Sequence, residues 1–428
     1  MEVTLWVFGT LILLLIIKLP VAFATTIATL VGIIVAGLPI MVLPQRMFFG
    51  VDNFVMIAIP LFIMTGKFME IVGITKDLLG VSRVLVGQFR GGLAYVNIVA
   101  SMIFAGITGS AAADTASIGS ILIPSMIEDG YEKDFSVAVT ATSSTIGGMI
   151  PPSIAMVLYG IAANQSIGKL FLGGIIPGIM VGGSLMLVSY VFARKRNYPK
   201  CEKVTIKKSI AILVRGIPAM MTVVIVIGGI VFGIFTPTEA AGIAAIYSLL
   251  LGVFFYKEIK IKDIPKIVFE VSKTIGMVML LVGSASALAW LLASQQIPQL
   301  ITQGLTSLTD NKIIILLLVN LLLLFVGTWL DQAAAITVFT PILLPAMIMI
   351  GIDPIHFGVI MIVNLAIGLF TPPVGICLFI SCGIADISIT DTIKTFIPFF
   401  FVILIVLMIV TFSPALVMWL PNLLGAAY

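Results

Sequence analysis

Charged residues are scarce in this chain. Lys and Arg number 23 and Asp and Glu number 19 among 428 residues, whereas 60% of the residues are hydrophobic. A soluble domain of this length needs a charged surface, so the composition excludes a soluble globular protein. The net charge of +4 is small and no domain-sized basic region occurs, which argues against nucleic acid as a partner.

Cysteine and histidine are also few. Cys201, Cys377 and Cys382 provide no disulfide framework. The single histidine, His356, follows Asp353-Pro354 and is better explained by a helix start than by a proton relay. An intramembrane protease would need two opposed catalytic aspartates or a Ser–His pair in their own motifs. The sequence therefore predicts neither an enzymatic activity nor an organic cofactor.

Apolar runs of about 20 residues, enough to cross about 30 Å of hydrocarbon, recur along the whole chain. They lack the strict alternation of a β-barrel, so an all-α polytopic membrane protein is predicted. Basic residues concentrate in 194–208 and 257–273 and more weakly in 76–90, and these segments are assigned to the cytoplasm. The assignment leaves both termini on the opposite side. The ten predicted crossings are 3–17, 20–40, 52–72, 135–163, 168–193, 210–235, 240–256, 274–296, 357–385 and 395–420.

The sequence repeats itself after a shift of 221 residues without a gap. The matching residues are mostly glycine and proline, which dictate backbone shape. They include Phe104 with Phe325, Gly106 with Gly327, Gly130 with Gly351, Gly147 with Gly368, and Pro151-Pro152 with Pro372-Pro373. Five predicted crossings separate equivalent positions, so the two halves, 1–200 and 201–428, form an inverted repeat.

Each copy contains a predicted re-entrant hairpin, at 92–127 and at 313–350. The arms of about 16 residues reach only about 24 Å as helix, which is short for a full crossing. Each hairpin turns at a small polar tip, and such backbone is tolerated at membrane depth only where protein or water surrounds it.

The hairpin is followed in each copy by a broken crossing, at 135–163 and at 357–385. Two adjacent prolines after glycine cannot continue a helix, so the chain unwinds there. Freed carbonyls can bind a cation, and the new helix N-terminus can bind an anion. Because no Lys or Arg lies in either repeated core, sodium is the expected counter-charge for an anionic substrate. A channel is not favoured, since no polar stripe runs through an entire helix.

Several polar residues in these units are candidates for the site. Asp114 and Asp331 are carboxylates at membrane depth, which are costly and functional by default. Ser143 and Ser144 belong to a hydroxyl cluster that could bind substrate or merely bond back to its own helix. Lys67 and Glu70, three residues apart, are interpreted as a local pair or as interfacial anchors.

The motifs together resemble the large membrane subunit of tripartite ATP-independent periplasmic (TRAP) transporters. The residues that carry the resemblance are 109–119 (GSAAADTASIG), 143–153 (SSTIGGMIPPS), 235–241 (FTPTEAA), 351–358 (GIDPIHFG) and 368–375 (GLFTPPVG). The resemblance implies an elevator fold of the ion-transporter superfamily. Its moving transport domain would hold both hairpins and both broken helices, and its scaffold would include the helices within 1–72 and 210–296.

The resemblance also implies a function and partners. It implies sodium-coupled import of a small organic acid, of the C4-dicarboxylate or sialic acid type, across a bacterial inner membrane with both termini periplasmic. It implies a small four-helix membrane subunit and a periplasmic substrate-binding protein. A single-component sodium–carboxylate symporter of similar architecture remains the alternative.

The resemblance assigns residues to two sodium sites and to substrate. The first sodium site takes Gly106, Ser110, Gly147, Ile150 and Pro152. The second takes Gly327, Asp331, Gly368 and Thr371. The substrate residues expected between them are Ser143, Ser144, Asn364 and Asp114.

Overall fold

The computed structural model describes residues 2–201, 205–309 and 311–424, apart from four side chains within 302–308. Helices account for all the regular structure in these ranges, which confirms the predicted all-α class. The first half contains α1 (Glu2–Ile16), α2 (Val21–Val35), α3 (Val42–Val51), α4 (Ala58–Val72), α5 (Thr75–Val86), α6 (Gly92–Thr108), α7 (Ala111–Glu128), α8 (Lys133–Ser144), α9 (Ile154–Ala162) and α10 (Ile167–Lys195). The second contains α11 (Ile206–Val231), α12 (Pro237–Leu250), α13 (Ile264–Ser294), α14 (Ile297–Leu308), α15 (Lys312–Gly327), α16 (Gln332–Met349), α17 (Pro354–Gly368), α18 (Ile376–Ala385), α19 (Ile389–Phe412) and α20 (Pro414–Leu424).

Seven helical segments within the described ranges are long and apolar enough to cross a membrane. They are Phe54–Val72, Ile167–Lys195, Ile206–Val231, Pro237–Phe255, Ile261–Ser294, Gln332–Met349 and Ile389–Phe412. Shorter apolar helices, including α1, α2 and the two halves of the second broken crossing, α17 and α18, add to these. The chain is therefore a multi-pass membrane protein.

The repeat is visible in the helix boundaries. Helices α7 and α8 begin at Ala111 and Lys133, and α16 and α17 begin 221 residues later, at Gln332 and Pro354. In both copies the broken crossing unwinds at the double proline, and both Pro-Pro peptide bonds are cis. Five spans, the broken crossing α8–α9 and the helices α10 to α13, separate α6–α7 from α15–α16, and an odd number is what an inverted repeat requires.

The two copies are interlocked. The first arm of each hairpin packs on the broken helix of its own copy, α6 on α8 and α15 on α17. The second arm reaches the other copy, so that α7 packs on α18 and α16 packs on α9. Both hairpins and both broken crossings therefore form one packed body.

The structure differs from the predicted crossings in several elements. Helices α3, α5 and α14 lie where no helix was predicted. In α5, the polar residues Lys76, Asp77 and Arg83 lower the mean hydropathy of the helix, although the buried Leu78, Leu79 and Val81 give it an apolar face. Helix α19 ends at Phe412 because Pro414 cannot extend it, and after the non-helical Ser413 the chain continues as α20.

His356 lies in the first turn of α17 and is buried. The Asp353 carboxylate caps this helix and accepts hydrogen bonds from the backbone N–H groups of Ile355 and His356, at 2.8 and 3.1 Å. The imidazole Nε2 lies 2.9 Å from the Val410 carbonyl oxygen. His356 thus begins a helix and ties α17 to α19.

Candidate ion and substrate site

The tip of the first hairpin is a turn of two residues between α6 and α7. Gly109 ends α6 in the left-handed region with φ of 61°, a conformation that favours glycine. Ser110 is extended, and its hydroxyl accepts a hydrogen bond 3.5 Å from the backbone nitrogen of Ala113 at the start of α7. This short turn places the N-terminus of α7 at the tip.

The tip lies directly against the unwound stretch of the first broken crossing. A Cβ on Gly106 would lie 3.2 Å from the Pro151 carbonyl oxygen, and one on Gly109 would lie 2.9 Å from that of Pro152. On the other side, a Cβ on Gly147 would lie 3.3 Å from the backbone of Ser110. The structure thus brings together Gly106, Ser110, Gly147 and Pro152, with carbonyl oxygens released by the break facing the hairpin.

Ile150 of the same predicted group is oriented differently. Its side chain packs on Gly178 of α10, where an added Cβ would lie 2.4 Å from Ile150 Cγ1. Only the backbone of Ile150 remains as a potential ligand for the first site.

Asp114, predicted as a substrate residue, lies against Gly147 of the first predicted ion group. Its side chain is fully buried, and Oδ1 accepts a hydrogen bond from the Thr108 hydroxyl. Oδ2 has no hydrogen-bond partner within the described part of the chain, and a Cβ on Gly147 would lie 2.6 Å from it. A buried carboxylate is stable only when it is paired with a cation or protonated, so this oxygen can take up either a cation or a proton.

The second copy has a related contact with different polar groups. A Cβ on Gly368 would lie 2.3 Å from the carbonyl oxygen of Gly327, so hairpin and broken crossing meet backbone to backbone. Asp331 is exposed and caps α16 by accepting a hydrogen bond from Ala333 N–H at 3.1 Å. The Thr371 hydroxyl donates to the Ile367 carbonyl at 2.6 Å. Gly327 and Gly368 are thus together, whereas Asp331 and Thr371 already make local bonds.

Three of the predicted substrate residues form hydrogen bonds within the protein. The Ser143 hydroxyl donates to Asn97 Oδ1 at 3.1 Å, and Ser144 donates to the Thr140 carbonyl at 2.9 Å. The Asn364 amide nitrogen donates to Asn320 Oδ1 at 2.7 Å. All three are fully buried and none of them lines the central cavity, so Ser143 and Asn364 join a broken crossing to a hairpin arm.

A cavity of about 450 Å³ lies between the two hairpin tips on one side and α4 and α13 on the other. This volume is within the range of small-molecule sites. Its polar and charged lining residues are Lys67, Glu70, Thr108, Ser110, Glu270, Thr274, Asp331 and Gln332. Sequence analysis interpreted Lys67 and Glu70 as a local pair or as interfacial anchors, not as site residues, and it did not single out Glu270 or Thr274. The signal that could have placed the first two in the site is the presence of two charges in the mostly apolar helix α4.

Two hairpins facing two broken helices, a buried carboxylate oxygen without a partner and a cavity at the tips define an inverted-repeat membrane transporter. The sequence matches, over residues 8–416, the family described as the tripartite ATP-independent periplasmic transporter, DctM component. The chain belongs to this family, and it is a large permease of TRAP transporters rather than an enzyme.

Curated relatives agree with this assignment. The chain is 38% identical to the C4-dicarboxylate TRAP transporter large permease of Pseudomonas aeruginosa and 39% identical to the sialic acid TRAP transporter large permease of Vibrio cholerae, with 89% of each chain covered in both pairs. It is 42% identical to the isethionate TRAP transporter permease DctMQ of Oleidesulfovibrio alaskensis, covering 96% of this chain and 65% of that protein.

A solved structure resembles the fold at low sequence identity. The Alcanivorax borkumensis YdaH transporter superposes with a TM-score of 0.57 and 14% identity, covering 84% of this chain and 85% of that one. At this identity the likeness bears on the fold alone.

Proposed function

We propose that this permease imports a small organic anion together with sodium ions. The observation that carries the proposal is the buried Asp114 oxygen beside Gly147, which has no partner in the described structure. A hard cation such as sodium prefers oxygen ligands, and the Asp114 carboxylate, the Thr108 hydroxyl and the carbonyls released at the break are of that type. Within the described ranges no three His, Cys, Asp or Glu side chains gather into a site for a softer metal.

We propose a second sodium site in the second copy, centred on Asn364 and not on Asp331 and Thr371, the residues expected from the sequence. Asn364 Oδ1 is buried and has no partner within the described chain, and it lies one helical turn before Gly368. The Gly327–Gly368 contact brings hairpin backbone to the same place. Asn364 Oδ1 with nearby backbone oxygens is therefore a better candidate set than Asp331 and Thr371.

The substrate class is proposed from the cavity and the relatives. C4-dicarboxylates, sialic acid and isethionate, named for the relatives, are all small organic anions. A cavity of about 450 Å³ bordered by the N-terminus of α7 suits such a molecule. We place the permease in a bacterial inner membrane with both termini periplasmic, working with a small membrane subunit and a periplasmic binding protein.

An elevator mechanism is supported by how the cavity is built. One wall comes from the interlocked body of hairpins and broken crossings, and the other comes from α4 and α13. A substrate held between two such bodies can cross the membrane when one slides along the other.

Reconstitution tests the proposal. The permease, its small subunit and its binding protein would be placed in liposomes, and uptake of labelled succinate, N-acetylneuraminate and isethionate measured with and without a sodium gradient. We expect sodium-dependent uptake of one of them, and we expect Asp114→Asn to abolish the sodium dependence. Uptake that ignores sodium would contradict the proposal.

The same experiment distinguishes the tripartite transporter from the alternative of a single-component symporter. A single-component sodium–carboxylate symporter would take up its substrate without the small subunit and the binding protein. Uptake only when all three components are present supports a tripartite transporter.

A further inference from the structure

Lys67 is the only basic residue among the described residues that line the central cavity. It lies on α4 beside Gly66, where an added Cβ would lie 3.4 Å from Thr108 Cα at the first hairpin tip. Lys67 Nζ lies 3.1 Å from Glu70 Oε1, and the two side chains are 30% and 43% exposed. The Lys67 side chain therefore lines the cavity and is partly exposed.

The remaining charged residues in the lining are acidic. Glu70, Glu270 and Asp331 would repel an anion that enters the cavity. Lys67 is the side chain in this wall that can offset such repulsion and donate charge-assisted hydrogen bonds. A substrate anion and the Glu70 carboxylate would thus compete for one ammonium group.

We propose that Lys67 binds the anionic group of the substrate and that Glu70 occupies Lys67 when the cavity is empty. The inference rests on the proposed transport of organic anions and adds the residue that recognises their charge. The recognised group is a carboxylate or sulfonate, since an ammonium donates to either oxyanion without a fixed geometry. Substrate binding then replaces the Glu70 carboxylate by the oxyanion of the substrate as the partner of Lys67.

Competition makes the two partners behave oppositely when they are neutralised. Lys67→Gln removes the binding charge, and we expect the dissociation constant of the anion to rise about tenfold, a modest figure because the pair is partly exposed. Glu70→Gln frees Lys67, and we expect the dissociation constant to fall. If the pair had a purely structural role, both variants would instead show the same change, either less folded protein or weaker binding of the anion.

The test is equilibrium binding of labelled succinate, N-acetylneuraminate and isethionate to the purified full chain in lipid nanodiscs with sodium chloride. Lys67→Arg should bind nearly as well as the unaltered protein, because it keeps the charge. Lys76→Gln is the matched control, an exposed lysine on α5 outside the cavity lining.

Two failures are distinguishable. If the unaltered chain binds none of the three anions, the proposed substrate class is wrong and this inference falls with it. If the unaltered chain binds but Lys67→Gln binds equally well, or if Glu70→Gln weakens binding as Lys67→Gln does, only the role of Lys67 is overturned.

Discussion

The glycines shared by the two copies mark the places where backbones meet. Gly106, Gly147 and Gly368 each lie so close to a carbonyl or carboxylate of the facing element that a methyl group would intrude. Matching glycines in the sequence could predict that close approaches exist. They could not predict that Asp114 turns toward Gly147, because that depends on how the two elements pack.

Gly147→Ala should impair the first ion site. The added methyl group would lie 2.6 Å from Asp114 Oδ2 and would push the carboxylate or the hairpin tip aside. We expect the half-saturating sodium concentration for uptake to rise at least about tenfold, the scale of one lost charge-assisted contact. Gly183→Ala in α10, where nothing lies within 4 Å of the added carbon, is the control. Equal sodium dependence in both variants would contradict this assignment.

Ser143 should matter for stability and not for substrate affinity. Its hydroxyl donates to Asn97 and accepts a hydrogen bond from Ser101 at 3.1 Å, so Ser143→Ala leaves buried partners without bonds. We expect a loss of about 1–3 kcal/mol in the free energy of unfolding. Thermal unfolding in detergent checks the loss, with the exposed Ser120→Ala as control. A changed substrate affinity at unchanged stability would restore Ser143 as a ligand.

Among the elements, hairpins and broken crossings were predictable and the short amphipathic helices were not. The prolines and glycines at 147–152 and 368–373 specify a break through backbone chemistry alone. Helix α5 buries Leu78, Leu79 and Val81 on one face, and a search for long apolar runs overlooks such a helix. Helix α14, of 12 residues, is too short for the same search.

A polar cluster joins elements of the two copies at one end of the packed body. Arg196, just after α10, binds both carboxylate oxygens of Asp134 on α8, at 3.0 and 3.1 Å, and Thr395 Oγ1 on α19 at 2.9 Å. The Arg196 guanidinium also lies 5.2 Å from the ring centroid of Phe192. One side chain thus links α8 and α10 of the first copy to α19 of the second.

Arg196→Leu should loosen this junction. The ion pair is only about a quarter exposed, with side chains at 26% and 24%, and its loss leaves Asp134 poorly compensated. Allowing for partial solvent screening, we expect a cost of about 1–3 kcal/mol, with Arg196→Lys intermediate because lysine cannot bind both oxygens in parallel. Thermal unfolding of the purified chain measures the cost. The neighbouring exposed Lys195→Gln should change little, and an equal effect there would point to net charge instead.

At the scale of the whole molecule, two cavities lie along α13 and together form a seam on one side of this helix. The large cavity touches the first part of this helix at Glu270 and Thr274, near the basic segment 257–273. A smaller cavity of about 190 Å³ touches its later part at Ser286, together with Asn53 and Thr337. The positive-inside rule predicts that the large cavity opens on the cytoplasmic side, near the basic segment 257–273. Sequence alone could not predict where the cavities lie, since they depend on how α4 and α13 pack against the hairpin tips.

Single cysteines along this seam should be labelled from opposite sides. A membrane-impermeant maleimide should reach Thr274→Cys from the cytoplasmic side, because Thr274 is exposed in the large cavity. It should reach Ser286→Cys from the periplasmic side. Lys76→Cys on α5 is the cytoplasmic reference, and the native cysteines are buried. Burial also raises the pKa of the Cys201 thiol, which slows its alkylation.

The labelling rates also test the elevator mechanism. If the packed body of hairpins and broken crossings slides along α13, adding sodium and substrate should change the labelling rates of the two cysteines in opposite directions. Rates that rise and fall together would argue against an elevator.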